Sequence, residues 1–301
     1  MAHVLLVLWR VLWRVGPSQI GVIAAGTAFY WLLAVFPAIT AVIALAGLFT
    51  RPEAVVTQLE TLTRFVPADA AQILINEASS VAGSTDEGLS LAFALGVGFA
   101  IYLMTRATAS LIHGLNIAHG RIENRSFFRY WLTVILLTAT LVFGVAAMFV
   151  ILVGVPTALA FVPPEIVPVR TADFVRATRW LVVVVLLNIG MAVLYRFGPA
   201  DRAGRTGRKR PWRWLTTGSF LAALLWFAGS YGFQLYVTNF ADYNASFGSL
   251  GGVIILLTWL WLSGFVVLFG AMVDAEIRRA PAEEPTAAPS PGAHRAPTRS
   301  G

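Results

Sequence analysis

Several apolar runs in this chain exceed the roughly 18 residues that mark a membrane-spanning helix, and no other feature limits the fold so strongly. Six spans are predicted, at about 20–49, 89–105, 130–155, 180–195, 214–237 and 248–273. Composition agrees: charged residues are 12% of the 301, against about 25% in a typical soluble domain. The expected fold class is all-α, a six-transmembrane-helix bundle with amphipathic external and N-terminal interfacial helices.

Charge decides the predicted orientation. The N-terminus, the 106–129 and 196–213 loops and the C-terminal tail hold seventeen of the 22 Arg and Lys residues. The 50–88, 156–179 and 238–247 loops hold the other five. Arginine and lysine are retained on the cytoplasmic side of a membrane, so both termini are expected to be cytoplasmic. The net charge of +7 could also suggest nucleic acid, but anionic lipid attracts the same charge. The loop "RFGPADRAGRTGRKRPWRW" concentrates Arg202, Arg205, Arg208, Lys209, Arg210 and Arg213 beside Trp212 and Trp214. That combination could hold phosphates and stack bases. Topology already requires positive charge there, however, and tryptophan is enriched at membrane interfaces. The six basic residues are therefore read as contacts for anionic phospholipid on the inner face, with no nucleic-acid partner expected.

Three regions surround the spans. Residues 1–19 form an N-terminal interfacial helix, in which Trp9 and Trp13, like Arg10 and Arg14, lie one turn apart; Gly16 and Pro17 are expected to end it. Residues 20–279 are the six-span membrane domain, and 280–301 a disordered Pro/Ala-rich cytoplasmic tail. The long 50–88 loop reads as an amphipathic hairpin on the outer surface, lidding the bundle. Val55, Val56, Leu59, Leu62 and Val66 share one face, a second short helix follows Pro67, and Ser84 with Glu87 form a capping box for span two. That span is expected to continue as helix through "RATASLIHGLNIAHG" into the cytoplasm, with Arg106 snorkelling from the inner interface.

Little catalytic chemistry is visible. The span centres read as essentially free of ionisable side chains, and Asp274 and Glu276 fall at the inner end of span six. Ion-coupled carriers usually place a carboxylate or histidine within the membrane, so a proton-coupled carrier is disfavoured. The chain has no cysteine. His113 and His119 are six apart and do not form an i, i+4 metal pair, and no HExxH, P-loop or GxSxG motif occurs. No catalytic residue, metal site or cofactor is predicted, and the chain is not expected to be an enzyme.

What remains is a set of neutral groups and small residues. Pro37 lies mid-run in span one, where it removes a backbone hydrogen bond and kinks the helix beside Tyr30, Trp31 and Phe36. Asn188 is the main amide within span four. Asn239, Tyr243 and Asn244 sit in the short outer joint before span six, where such residues cap helix ends. These six, Tyr30, Pro37, Asn188, Asn239, Tyr243 and Asn244, are the candidate groove or hinge residues. Small residues recur at four-residue spacing: Gly96 between Ala92 and Ala100, Gly232 after Ala228, and Gly248 with Gly252. Such spacing lets helix backbones approach closely, here within one protomer. The oligomeric state is left open.

The same residues resemble a family. "AGTAFYWLLAVFPAI" looks like the AYY-x-x-x-S-x-x-P signature of the YihY/BrkB family, "LNIAHGRIENRSFFRYWLTVILLT" like its second block, and the chain from "RFGPADR" to "GAMVDAEI" like its third. Ala34 and Val35 stand where the family's serine falls, Phe247 replaces the tyrosine of YGSLG, and the acid of LGAE is shifted to Asp274. The resemblance implies a six-span protein of the bacterial inner membrane whose biochemical role is unsettled; the family's older ribonuclease label is regarded as a misassignment. Two functions are carried forward. The first is a non-transporting scaffold or assembly factor in cell-envelope maintenance, with envelope proteins as partners. The second is a transporter, or transport partner, for lipids or other amphiphiles.

Overall fold

The computed structural model describes residues 2–47, 68–82, 89–151, 169–200, 216–240 and 250–277. Eight helices and no strand occur among the described residues. They are α1 (Ala2–Ser18), α2 (Ile20–Gly47), α3 (Ala68–Ala82), α4 (Leu89–Ala118), α5 (Phe127–Phe149), α6 (Val169–Phe197), α7 (Thr217–Phe240) and α8 (Leu250–Ile277). Five of them contain segments long and apolar enough to cross a membrane: Ile20–Thr40, Ala94–Ala118, Phe127–Met148, Thr217–Asn239 and Leu250–Ile277. The apolar part of α6, Leu181–Phe197, is shorter. Large side chains such as Leu95, Phe143, Val145 and Leu181 stand exposed along these helices, as they would where hydrocarbon rather than water surrounds the bundle.

Contacts between residues far apart in sequence set the helix directions. Thr27 bonds Ser110 at 2.9 Å, and Pro37 lies against Gly96, so α2 and α4 run antiparallel. The indole of Trp226 donates to Ser263 at 2.9 Å and that of Trp259 to Ser230 at 3.1 Å, which makes α7 and α8 antiparallel. Arg14 reaches Glu276, bringing the start of the chain to the end of α8. Arg125, just before α5, reaches the carbonyl of Gly198, just after α6. The starts of α2, α5 and α7 and the ends of α4, α6 and α8 therefore meet at one end of the bundle, termed here the base.

The largest core cluster lies at that end. Val11, Ile20, Leu115, Leu268 and Met272 come from α1, α2, α4 and α8 and are almost completely buried, with Leu194 and Tyr195 of α6 beside them. A second cluster, around Ala28, Ile255 and Leu256, fills the opposite half and takes in Leu74 of α3. Helix α8 touches α1, α2, α3, α4 and α7, which makes it the central element.

Several expectations meet the structure here. The helix expected after Pro67 is present as α3, packed on α2 and α8 away from the base. The first half of the outer hairpin (55–66), Ser84, Glu87, Trp212, Trp214 and the 280–301 tail lie outside the described residues. Helix α1 does not stop at Gly16–Pro17; it runs to Ser18, and Gln19 makes the break with φ of 55°. A proline in a last turn removes only its own N–H bond, and the Ser18 hydroxyl donates to the Val15 carbonyl at 2.9 Å, tightening that turn. Helix α2 is continuous through Pro37.

Helix α4 continues to Ala118 as expected, and residues 106–118 pack within the bundle. Leu111, Ile112, Leu115 and Ala118 are buried in it, and the apolar segment extends over Ala94–Ala118. Those four residues repeat at helical spacing, so one face can be buried although Arg106, His113 and Asn116 lower the average hydropathy. Arg106 falls at the middle of that apolar segment.

Candidate functional site at the base of the bundle

The polar groups converge at the base in two sets. The first is built from the end of α4. Gly120 takes φ of 60°, and the Arg121 N–H reaches back to the Asn116 carbonyl at 2.8 Å, closing the helix with a glycine in the left-handed region. That turn presents Asn116, Arg121, Glu123 and Arg125 to residues 197–200. The Glu123 carboxylate accepts Nε and Nη2 of Arg125, both at 2.8 Å, and Nδ2 of Asn116 at 2.9 Å. Asn116 accepts the Ala200 N–H at 2.6 Å, Arg121 donates to the Ala200 carbonyl at 2.5 Å, and Arg125 donates to Gly198 at 2.8 Å. Asn116, Arg121 and Arg125 thus fasten the α4–α5 loop to the end of α6, with Glu123 bracing two of them, and the ring of Tyr130 lies 5.9 Å from the Arg125 guanidinium.

The Arg125 hydrogen bonds, with those from Asn116, hold the Glu123 carboxyl down at about 2, against a burial effect that opposes them. A depressed folded pKa stabilises the fold above the unfolded value near 4.5 and is lost as pH falls through about 2. Wild type is therefore expected to melt above Glu123→Gln near neutral pH in detergent. The gap should close between pH 4.5 and about 2. A gap that stayed constant across that window would show that the carboxylate charge contributes nothing.

The second set ties α1, α6 and α7 to α8. Glu276 is 7% exposed and pairs with Arg14 at 3.0 Å, with Arg10 at 3.8 Å. The Tyr195 hydroxyl donates to the Val267 carbonyl at 2.6 Å. At Gly218 and Gly270 the backbones of α7 and α8 touch: a side chain on Gly218 would meet the Gly270 carbonyl, and one on Gly270 would meet Ala222 at 2.6 Å and the Tyr195 hydroxyl at 2.7 Å. These groups lock helices together. His119 is buried with Nδ1 2.9 Å from the carbonyl of Leu115, whereas His113 is exposed, so the two histidines have different surroundings.

The candidates read from sequence are scattered by comparison. Tyr30 is half-buried with the Arg106 guanidinium 5.9 Å from its ring centre. Pro37 lies 4.0 Å from where a Gly96 side chain would begin, so Gly96 does face a neighbouring helix. Asn188 is buried; its amide donates to its own helix at Val184, 3.0 Å, and Oδ1 has no partner. Asn239 is exposed and bonds its own helix at Leu235, 2.7 Å. No hydrogen bond or ring contact joins these four among the described residues. Gly252 is buried in α8. Gly232 makes no close approach among the described residues: it is exposed, with nothing there within 4 Å of an added side chain. A four-residue recurrence marks a face of a helix but not which neighbour that face meets. Tyr243, Asn244, Gly248, Arg202, Arg205, Arg208, Lys209, Arg210 and Arg213 lie outside the described residues.

A helical bundle with exposed apolar flanks and, among the described residues, arginine–glutamate pairs at one end is a multi-pass membrane protein. The chain belongs to the Virulence factor BrkB family, whose profile matches residues 11–295. It is 28% identical over 266 residues to a protein of Bacillus subtilis named a ribonuclease-like protein, YfkH, covering 85% of this chain and 89% of that one. It is 26% identical over 269 residues to a UPF0761 membrane protein of Vibrio vulnificus, covering 88% and 80%. A UPF0761 membrane protein of Pseudoalteromonas translucida is likewise 26% identical over 260 residues, covering 86% and 81%. No solved structure matches the chain.

Proposed function

We propose that the chain is a six-pass protein of the bacterial inner membrane, with both termini cytoplasmic, serving cell-envelope maintenance as a non-transporting scaffold or assembly factor. The observation that carries this reading is how the polar groups are used. Trp226, Trp259 and Trp261 each donate to another helix, at Ser263, Ser230 and the Gly21 carbonyl. Glu123 and Glu276 are each held by arginine. Groups committed to holding helices together suit a rigid platform better than a carrier that must separate them.

Helix direction supports six passes. Helix α5 leaves the base and α6 returns to it, so α6 crosses if α5 does. Three starts and three ends meeting at the base support Ile20 and Ile277 lying on one side, and the arginine distribution favours the cytoplasmic one. The chain has no cysteine, so single cysteines can be probed without background. Cysteines at Glu60 and Glu165 are expected to react with an impermeant thiol reagent from outside, and those at Glu123 and Gly207 only after permeabilisation. One reversed position in folded protein would refute the topology.

The basic 202–213 loop then contacts anionic phospholipid at the inner face. Lipid handling is the second reading, favoured by the buried and unpartnered Oδ1 of Asn188. Liposomes carrying labelled phospholipid separate the two: the scaffold reading expects exchange no faster than in protein-free vesicles. Exchange that rises with the amount of protein would replace it by the transport reading.

No enzymatic activity is proposed. The name of the Bacillus relative raises ribonuclease activity, but general acid–base cleavage needs titratable groups converging on one bond, and His113 and His119 differ in burial and surroundings. Purified protein is expected to show no ribonuclease activity above a mock preparation. Activity that copurified with the chain and vanished on one substitution would overturn this.

A further inference from the structure

Arg106 is not matched by a carboxylate. It lies twelve residues from either end of the apolar segment Ala94–Ala118, about 18 Å at 1.5 Å per residue. Arg14 and Arg125 each face a glutamate, whereas Arg106 makes no ion pair among the described residues. The ring of Tyr30 on α2 lies 5.9 Å from the guanidinium. Tyr102 lies one turn before it on the same helix. A guanidinium among neutral rings at this depth is costly until an anion joins it.

The surroundings point outward. Phe99, Tyr102, Arg106 and His113 recur at three-, four- and seven-residue spacing, on one stripe of α4. Phe99, Tyr102 and His113 are exposed, and Arg106 is partly so. Phe99 and Tyr102 stack at 6.4 Å, forming an apolar wall above the cation. On α2, Phe29 and Leu33 flank Tyr30 and are exposed as well. His113 is two turns nearer the base than Arg106, so a polar step connects the cation with the end where headgroups lie. An inorganic ion would gain nothing from the apolar wall, and a neutral lipid nothing from the guanidinium.

We propose that Arg106, with the hydroxyls of Tyr30 and Tyr102, holds the phosphate of an anionic phospholipid on the bilayer face formed by α2 and α4. The guanidinium neutralises and hydrogen-bonds the phosphate, tyrosine O–H groups complete its remaining acceptors, and the acyl chains lie along Phe99 and Leu95. The lipid enters from the basal leaflet past His113. This site rests on neither the scaffold nor the transport reading, because a fixed lipid and a moving one need the same contact.

The test uses the purified full chain in detergent, with thermal unfolding followed while probes are added. Short-chain phosphatidylglycerol is expected to raise the Tm, while phosphatidylcholine of equal chain length and inorganic phosphate leave it unchanged. Arg106→Gln should need about tenfold more phosphatidylglycerol for half the shift, as for loss of a charged hydrogen bond. Arg106→Lys should recover part of the response, and Arg196→Gln should retain all of it. An undiminished response in Arg106→Gln would overturn the proposal. So would an equal response to phosphatidylcholine, which means acyl-chain binding, or to inorganic phosphate, which means a free-anion site. Should Arg106→Gln not fold, photoactivatable phosphatidylglycerol on the wild-type chain decides. Adducts are expected within residues 95–113 and 29–33, and adducts confined to other segments would refute the site.

Discussion

Replacing Gly270 by leucine is expected to destabilise the protein by about 3 kcal/mol or more, at the upper end of overpacking costs. The first atom of the new side chain would lie 2.6 Å from Ala222 Cβ and 2.7 Å from both the Gly218 carbonyl and the Tyr195 hydroxyl. None of these is the free end of a flexible chain. Two belong to a facing helix and the third is held by its bond to the Val267 carbonyl at 2.6 Å. Relief would have to come from moving α7 away from α8, which would also disturb the Trp226–Ser263 and Trp259–Ser230 bonds. Gly232→Ala on α7 should do the reverse. Nothing lies within 4 Å of the added carbon, and alanine favours a helix over glycine by up to about 1 kcal/mol. Thermal unfolding of both variants in one detergent checks the pair. A Gly270→Leu variant that melts with wild type would mean α7 and α8 do not touch there.

The double replacement Arg10→Ala and Arg14→Ala is expected to cost about 3 kcal/mol, as for breaking a buried ion pair from one side. Glu276→Gln should cost less. The reason is unequal exposure: the Glu276 side chain is 7% exposed, whereas Arg14 and Arg10 are 31% and 46% exposed. Arginines deprived of the glutamate can turn to water or lipid headgroups; the carboxylate deprived of its arginines stays in a closed site. Limited proteolysis adds a second measure, because the double variant should release α1 from α8 and expose the Arg14–Gln19 region to cleavage. Equal melting of the two variants would place the cost elsewhere than in desolvation.

The apolar runs were sufficient to read helices, because a long run of that composition has few ways to satisfy its backbone. They located α2, α5, α7 and α8 within a few residues, and helical spacing carried α4 on to Ala118. Charge served as the boundary marker for α4. Arg106 looked like the end of a span because a cation ordinarily marks an interface. Only the burial of Leu111, Ile112, Leu115 and Ala118 against other helices shows that the bundle extends past it.

The base was not legible in the same way. Asn116, Glu123 and Arg125 stand in the sequence only as members of the family's second block, with no role assigned to them. Their partners, Gly198 and Ala200, are more than seventy residues away. The glycines show the same division. Gly232 satisfies a spacing rule and faces outward, while Gly218 and Gly270 meet across two helices. Sequence determines what one helix offers on each face, since 3.6 residues per turn is a local property. Which faces meet depends on how separate helices cross, and only the tertiary packing decided that.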